Sequence, residues 1–197
     1  MSFQRIAAES KMIHDEARAI IARKGLDALL TRYGRTEYGG SYSLNLMTWR
    51  DLDIYLVTNS WDERKHFALG QELAALCRPF KMSYRNTVRK DDPRMPLPRG
   101  WYWGVYTERF FSTTWKIDCW VMRGREAVKH LKTLEVLNGI IGKRERMLIM
   151  RIKHQYCHHP SYRRDFTSMD IHSAVCRGGV GSLSAFRKWL KCERGLE

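Results

Sequence analysis

Hydrophobic positions in the first half of the chain predict helices before and after a short polar-apolar strand. Apolar residues recur at helical spacing over residues 4–33 with a break at Gly25, which predicts one or two helices. A further helix is predicted from Asp62 to Cys77. Ser60 is the expected N-cap, with Glu63 three residues later completing a capping box.

Strands are predicted where β-branched and aromatic residues alternate with polar ones. The predicted strands are residues 51–57, 80–89, 101–106 and 113–122, with a first strand ending near Gly39. We expect the last two to form an antiparallel hairpin through residues 108–112. The proline-rich stretch 90–100 is expected to be a loop.

Helical spacing returns in the last third of the chain. The predicted helices are residues 126–138, 143–156, 167–176 and 182–190. Glycines 178, 179 and 181 lie between the last two and resemble a phosphate-binding loop. Because this run lacks the lysine and the preceding strand of that motif, an interhelical turn is the favoured interpretation. The shift in composition predicts a catalytic domain over residues 1–123 and a helical C-terminal region over residues 124–197.

Composition narrows the classes of protein. An apolar content of 44% is enough for a buried core and argues against disorder. No apolar run is long enough to span a bilayer, and the N-terminus lacks the apolar segment of a signal peptide. The five cysteines are odd in number and have no close paired spacing, which favours reduced thiols and a cytoplasmic location.

The net charge is strongly positive. A formal charge of +14 attracts anions such as nucleotides, pyrophosphate, nucleic acid or an acidic partner. A merely soluble basic surface is the alternative interpretation.

Two aspartates occupy one face of the predicted strand at residues 51–57. Side chains alternate across a strand, so Asp51 and Asp53 share a face while Leu52 and Ile54 point into the core. Two neighbouring carboxylates repel by roughly 1 kcal/mol in water and about 4 kcal/mol at an effective dielectric constant of 20. A hard divalent cation with oxygen ligands is the usual compensation.

A third acid interrupts the apolar strand at residues 113–122. Asp118 lies between Ile117 and Cys119, and burying an unpaired carboxylate in such a strand is costly. A metal ion or a polar cleft beside Asp118 would remove that cost. For each aspartate taken singly, a solvent-facing position at a strand end is the alternative interpretation.

Together these features resemble the nucleotidyltransferase superfamily typified by DNA polymerase beta. The resemblance covers roughly residues 30–122 and consists of the turn Gly39-Gly40-Ser41, the Asp-x-Asp strand and the later acid. It implies an α/β (α+β) fold with a mixed, mostly antiparallel sheet, packed helices and additional C-terminal helices. In that arrangement Asp118 would lie beside Asp51 and Asp53.

The resemblance also implies a set of site residues and a reaction. Asp51, Asp53 and Asp118 would bind Mg²⁺, with two ions expected, and Asp118 is the catalytic candidate, as a ligand, as the group that deprotonates the acceptor, or both. The glycine-serine turn would approach the phosphates of ATP or another nucleoside triphosphate. Lys116, which shares a strand face with Asp118, is a better candidate than Arg50 for balancing the triphosphate charge. An N-cap role for Ser41 is equally open.

The implied function is transfer of a nucleoside monophosphate to a hydroxyl acceptor with release of pyrophosphate. A neutral or anionic small molecule is the favoured acceptor, because a polycation would need an acidic cleft and this chain is basic. The alternatives are a nucleic-acid-binding or RNA-modifying protein that uses the basic C-terminal helices, and a toxin–antitoxin partner. The basic residues concerned are Lys143, Arg144, Arg146, Arg151, Lys153, Arg187, Lys188 and Lys191.

Two further clusters have ordinary structural interpretations as well as functional ones. Four histidines and two cysteines near the C-terminus suggest zinc, but they lack finger-like paired spacing, and a helix C-terminus is favoured. These residues are His154, Cys157, His158, His159, His172 and Cys176. The aromatic residues Trp101, Tyr102, Trp103 and Tyr106 suit base stacking, although cross-strand packing is favoured.

Overall fold

The computed structural model describes residues 2–89 and 97–196. Its elements alternate much as the hydrophobic pattern predicts. They are α1 (Phe3–Arg23), α2 (Leu26–Leu30), β1 (Arg35–Tyr38), α3 (Gly40–Ser43), β2 (Asp51–Thr58), α4 (Glu63–Cys77), β3 (Lys81–Asn86), β4 (Trp101–Thr107), β5 (Trp115–Arg123), α5 (Gly124–Ile140), α6 (Lys143–Tyr156), α7 (Ser168–Cys176) and α8 (Leu183–Arg194).

The strands form one mixed sheet in the order β1-β2-β5-β4-β3. The pair β2–β5 is parallel and the other three pairs are antiparallel, so the expected mixed, mostly antiparallel sheet is confirmed. The hairpin of β4 and β5 is also confirmed. The predicted loop at residues 90–100 lies largely outside the described residues, of which only 97–100 belong to it.

One face of the sheet is packed against the N-terminal helices. Leu52 and Ile54 of β2 and Ile117 of β5 are fully buried there, beside apolar residues of α1, α2 and α4. This cluster follows from the alternation of β2, in which half-buried and buried residues alternate from Asp51 to Leu56. The prediction that Leu52 and Ile54 enter the core is therefore confirmed.

The C-terminal helices form a second apolar cluster with the segment between α3 and β2. Ile149 and Ile152 of α6 and Phe186 of α8 are fully buried, together with Leu44 and Leu46. The run of glycines at 178–181 joins α7 to α8, as predicted, and Gly179 has a φ of 65° that suits glycine.

Some helix boundaries differ from the prediction. The N-cap of α4 is Asp62, whose side chain accepts from the Lys65 amide, so the prediction of Ser60 as the cap is wrong. Aspartate and serine cap equally well, and tertiary context selects between them. Helix α5 continues through Gly139 to Ile140, because one glycine weakens a helix by only about 1 kcal/mol relative to alanine.

Within the described ranges, no helix is both long enough and apolar enough to cross a membrane.

Candidate active site

The parallel pairing of β2 and β5 brings the three aspartates together. Asp51 is paired with Lys116 and Asp53 with Asp118, so all four side chains lie on the same face of the sheet. This is the face away from the N-terminal helices. The expectation that β5 delivers Asp118 beside the first two acids is confirmed.

Lys116 lies between the carboxylates. Its Nζ donates to Oδ2 of Asp118 in a short contact and lies 3.4 Å from Oδ1 of Asp51. Burial acts to lower the pKa of Lys116, but Asp51 and Asp118 together raise it above its ordinary value. Arg50, the weaker candidate, instead donates two hydrogen bonds of 2.7 and 3.0 Å to Glu16 and takes no part in the site.

A second cation reaches Asp51 from the C-terminal helical region. Nη2 of Arg163, in the segment between α6 and α7, donates to Oδ2 of Asp51 at 2.7 Å. The backbone of Arg163 has a φ of 67°, a left-handed conformation that is uncommon for a residue other than glycine. Its guanidinium also lies 5.7 Å from the centre of the Trp49 ring. Sequence reasoning did not identify Arg163, since no local pattern marks a residue that reaches the sheet from 112 positions away.

The aromatic strand β4 contributes a tyrosine to the sheet face that carries the three aspartates. The hydroxyl of Tyr102 donates to Oδ1 of Asp118 at 2.7 Å. Trp101 is buried on the other face, and Nε1 of Trp103 donates to the His66 carbonyl at 3.2 Å. Packing is thus the confirmed role of the two tryptophans, whereas Tyr102 is a site residue that sequence reasoning had grouped with them.

Asp53 differs from its neighbours, because no basic side chain of the described ranges forms an ion pair with it. Burial raises the pKa of Asp53 to about 8, and the nearby charges of Asp51 and Asp118 act in the same direction. Burial, followed by the charge of Asp51, also raises the pKa of Asp118. Burial is thus the main reason that the ionised forms of Asp53 and Asp118 are disfavoured, and the neighbouring carboxylates add to it.

The glycine turn after β1 lies directly against this cluster. Gly40 has a φ of 56°, and a Cβ added there would stand 1.8 Å from Oδ2 of Asp53. A Cβ at Gly39 would meet the Tyr55 ring at 2.4 Å. Glycine at both positions is thus required for the close approach of this turn to β2.

Ser41 does not cap the helical turn α3. The N-cap is Gly39, with no side-chain hydrogen bond, so that interpretation of Ser41 is wrong. Its Oγ instead accepts a hydrogen bond of 2.7 Å from Nζ of Lys153. Since a hydroxyl both donates and accepts, the Ser41 proton can still be donated to another group.

Lys153 is a fully buried lysine of α6. Besides Ser41, its Nζ donates to the Leu46 carbonyl at 2.7 Å and lies 4.4 Å from the centre of the Trp49 ring. Burial lowers the pKa of Lys153 to about 7. The alternative nucleic-acid-binding interpretation counts Lys153 among the basic residues of the C-terminal helices, but its side chain is fully buried and not on their surface. The helical spacing of α6, with Ile149 and Ile152 buried, could have indicated that position 153 faces inward.

The carboxylate oxygens suit a hard divalent cation, whose charge would favour the ionised form of Asp53 that burial disfavours. Within residues 2–89 and 97–196, however, no group of three or more histidine, cysteine, aspartate or glutamate side chains is placed to hold a metal ion. That finding applies to the three aspartates, which Lys116 and Arg163 engage, and to the histidine-cysteine cluster near the C-terminus. The three aspartates thus supply the right type of ligand atom, but their side chains would have to rotate to bind the same ion.

No protein-family model matches the sequence, and no curated protein matches it. The structure is similar to a solved structure of a cytoplasmic RNA terminal U-transferase, with a TM-score of 0.51 and 16% sequence identity. The similarity covers 87% of this chain and 51% of the other, so the chain spans about half the length of that protein. At this identity the similarity establishes the fold. The nucleotidyltransferase-like fold expected from the sequence is confirmed.

Proposed function

We propose that the protein transfers a nucleoside monophosphate from ATP or another nucleoside triphosphate to a hydroxyl acceptor, releasing pyrophosphate. The observation that carries this proposal is the convergence of Asp51, Asp53 and Asp118 on one face of a nucleotidyltransferase-like sheet. The close approach of the Gly40 backbone to Asp53 supports it, because it brings the glycine turn directly beside the acids.

The three aspartates are the proposed ligands of Mg²⁺, with two ions expected. Bound Mg²⁺ would neutralise charge on the triphosphate and on the leaving pyrophosphate. For the carboxylates to turn toward the ions, Lys116 has to release Asp118 and Arg163 has to release Asp51. Both cations would then be free to pair with the phosphates of the donor nucleotide, which keeps the charge of the site balanced.

The remaining residues position groups around this centre. Ser41 would donate its hydroxyl proton to a phosphate oxygen while its Oγ stays fixed by Lys153. Asp118, held by Tyr102, is the proposed acceptor of the proton from the attacking hydroxyl. Such a site acts mainly by orienting the reactants and by fixed charges.

A neutral or anionic small molecule is the acceptor that we favour. A nucleic-acid acceptor is the second candidate, favoured by a cavity of about 500 Å³ on the C-terminal helices that contains basic side chains. Its lining residues are Gln155, Tyr156, His158, His159, Arg187 and Lys191. A steep salt dependence of RNA binding would support this candidate.

The first test is thermal stabilisation by each nucleoside triphosphate, with Mg²⁺ and with EDTA. A ligand at 100 times its Kd stabilises the folded state by roughly 2.7 kcal/mol, which a melting curve detects readily. We expect stabilisation of the wild type with Mg²⁺ that EDTA abolishes and that Asp51→Asn/Asp53→Asn lacks.

A matched control separates the site from overall charge. The exposed acids Glu135 and Glu193 give the double variant Glu135→Gln/Glu193→Gln, which has the same net charge as the test variant. It should bind nucleotide as the wild type does. The proposal fails if no nucleoside triphosphate stabilises the wild type at millimolar concentration with Mg²⁺.

A further inference from the structure

A second cavity opens at the other end of the β2–β5 pair. It has a volume of about 410 Å³. Its lining residues are Trp61, Arg99, Arg123, Arg125 and Glu126. These come from four places in the sequence: the segment after β2, the segment before β4, the end of β5 and the first turn of α5.

The cavity is separate from the acidic site. Asp53 and Asp118 are adjacent in register, and so are Thr58 and Arg123 at the far end of the same two strands. Five residues of extended chain span about 17 Å. Helix α5 packs on both strands between the two places, where Tyr55, Trp120 and Met122 meet Ala127. A donor nucleotide bound at the aspartates would therefore not fill this cavity.

The charge of the cavity favours an anion. Within the described ranges, Arg99, Arg123 and Arg125 form no ion pair with an acid, whereas Arg32 and Arg50 each engage a glutamate. A guanidinium binds phosphate in a planar, two-pronged geometry, and three of them around one cavity can divide the oxygens between them. Glu126 offsets part of this positive charge. Its own negative charge would repel a phosphate and so keep it near the arginines.

Two of the elements around the cavity are fixed in position. Nη2 of Arg123 donates to the Asn59 carbonyl at 3.2 Å, which ties the end of β5 to the segment that carries Trp61. Arg123 is also the N-cap of α5 and gives that helix no side-chain hydrogen bond, so the first amides of a 17-residue helix add a positive end to the same region.

An aromatic ring stands beside the arginines. Trp61 is half-buried, and its ring centre lies 4.9 Å from that of the buried Trp101. Trp101 thus holds the Trp61 ring in place, and part of the Trp61 ring lines the cavity. A flat aromatic group can stack on a tryptophan held in this way, and a nucleotide combines such a group with a phosphate.

We propose that this cavity binds a nucleotide unit, with the base stacked on Trp61 and the phosphate held by Arg99, Arg123 and Arg125. The unit can come from a free nucleotide or from one position of a single-stranded nucleic acid, since both present the same base and phosphate. This site does not depend on the proposed transfer reaction, because it uses none of the residues at the acidic site.

The test measures binding of AMP, UMP, oligo(A) and oligo(U) of about ten nucleotides to the full chain by fluorescence anisotropy or calorimetry. The main variant is Arg99→Ala/Arg125→Ala, because neither side chain has a hydrogen-bond partner in the described ranges whose loss would disturb folding. We expect at least a 10-fold loss of affinity for whichever probe binds. For the oligonucleotides we also expect a shallower salt dependence, by about 0.7 in the log–log slope for each phosphate that the variant no longer neutralises.

A matched control distinguishes binding at this cavity from non-specific attraction by the net positive charge of the protein. Arg5→Ala/Arg23→Ala removes the same charge from exposed positions of α1 and should change affinity less than 2-fold. Trp61→Leu should weaken binding about 10-fold, and Trp61→Phe should restore most of it because a ring remains for stacking.

The outcomes separate clearly. Binding of the mononucleotides assigns the source to free nucleotides, and binding of the oligonucleotides alone assigns it to a strand. Failure of all four probes to bind the wild type, equal losses in the two arginine double variants, or unchanged binding in Arg99→Ala/Arg125→Ala would overturn the proposal. Binding is measured in EDTA, which removes the metal that the proposed transfer site needs, so a failure of the transfer reaction would leave this result standing.

Discussion

The two faces of strand β2 show how one alternating sequence meets two different physical requirements. Leu52 and Ile54 have no exposed surface and pack against the N-terminal helices. Asp51 and Asp53 occupy the alternate positions of the strand, so they lie on its opposite face. There they meet charged side chains that come from other elements. The apolar face is stabilised by the burial of apolar surface. The acidic face needs specific partners for its carboxylates at hydrogen-bond or ion-pair distance. Stability and chemistry are thus carried by neighbouring residues that can be tested separately.

The largest expected contrast is between Ile54→Ala and Asp53→Asn. Deleting the buried part of Ile54 should lower the free energy of unfolding by about 2–5 kcal/mol, because the site cannot collapse fully around the cavity. Asp53→Asn removes a carboxyl whose ionisation is opposed by burial and by the neighbouring acids, so it should leave stability unchanged or raise it. Chemical denaturation of both variants tests this. A loss of several kcal/mol in Asp53→Asn would show that the acidic face contributes to folding as the apolar face does.

The activity of the same two variants should show the opposite order. If nucleotidyl transfer takes place at the aspartates, Asp53→Asn should lower its rate by at least about 100-fold. Ile54→Ala, assayed at a temperature where it is folded, should retain a rate near that of the wild type. Release of pyrophosphate from each nucleoside triphosphate is the measurement.

The two faces should also respond to pH in opposite directions. On the apolar side, burial lowers the pKa of His66 to about 4, and neither ring nitrogen has a hydrogen-bond partner among the residues that the structure describes. The neutral ring favours the folded state above pH 6.5, and this contribution is lost as the pH falls through 6.5 toward about 4. The raised pKa of Asp53 acts the other way: its contribution is present at low pH and is lost as the pH rises through about 8.

His66→Phe should remove the first of these effects. Between pH 6.5 and 4, the stability of the wild type should fall by about 3 kcal/mol more than that of the variant, since each pKa unit corresponds to about 1.4 kcal/mol. Urea denaturation at several pH values measures this. His158→Phe makes the same chemical change at an exposed position and serves as the control. Parallel pH profiles for His66→Phe and the wild type would contradict the assignment.

The smallest expected effect is that of Tyr102→Phe. Removing the hydroxyl deletes one hydrogen bond to Asp118, which Lys116 still contacts, so stability should fall by about 1 kcal/mol. Tyr106→Phe is the matched control, since Tyr106 lies on the same face four residues along β4. If both variants lose equal stability, the hydrogen bond to Asp118 contributes nothing specific.

Local patterns determined much of the fold before any tertiary information was needed. Alternation in β2 correctly separated Asp51 and Asp53 from Leu52 and Ile54, because the side-chain period of a strand is two in any context. Helix α6 was predicted with its observed boundaries, since glycine and a periodic apolar set mark its start and course. The lone acid of β5 was identified because a carboxylate is costly in an apolar strand.

Tertiary structure alone decided which partners complete the acidic face. Arg163 and Lys153 come from the C-terminal region, more than 100 residues from the groups they contact, and no local period relates positions so far apart. The parallel register that sets Asp53 beside Asp118 likewise depends on how two distant strands pair. The sequence by itself specified which side chains share a face of each element, because backbone geometry fixes that locally. Packing decided which faces meet, and so which charges meet.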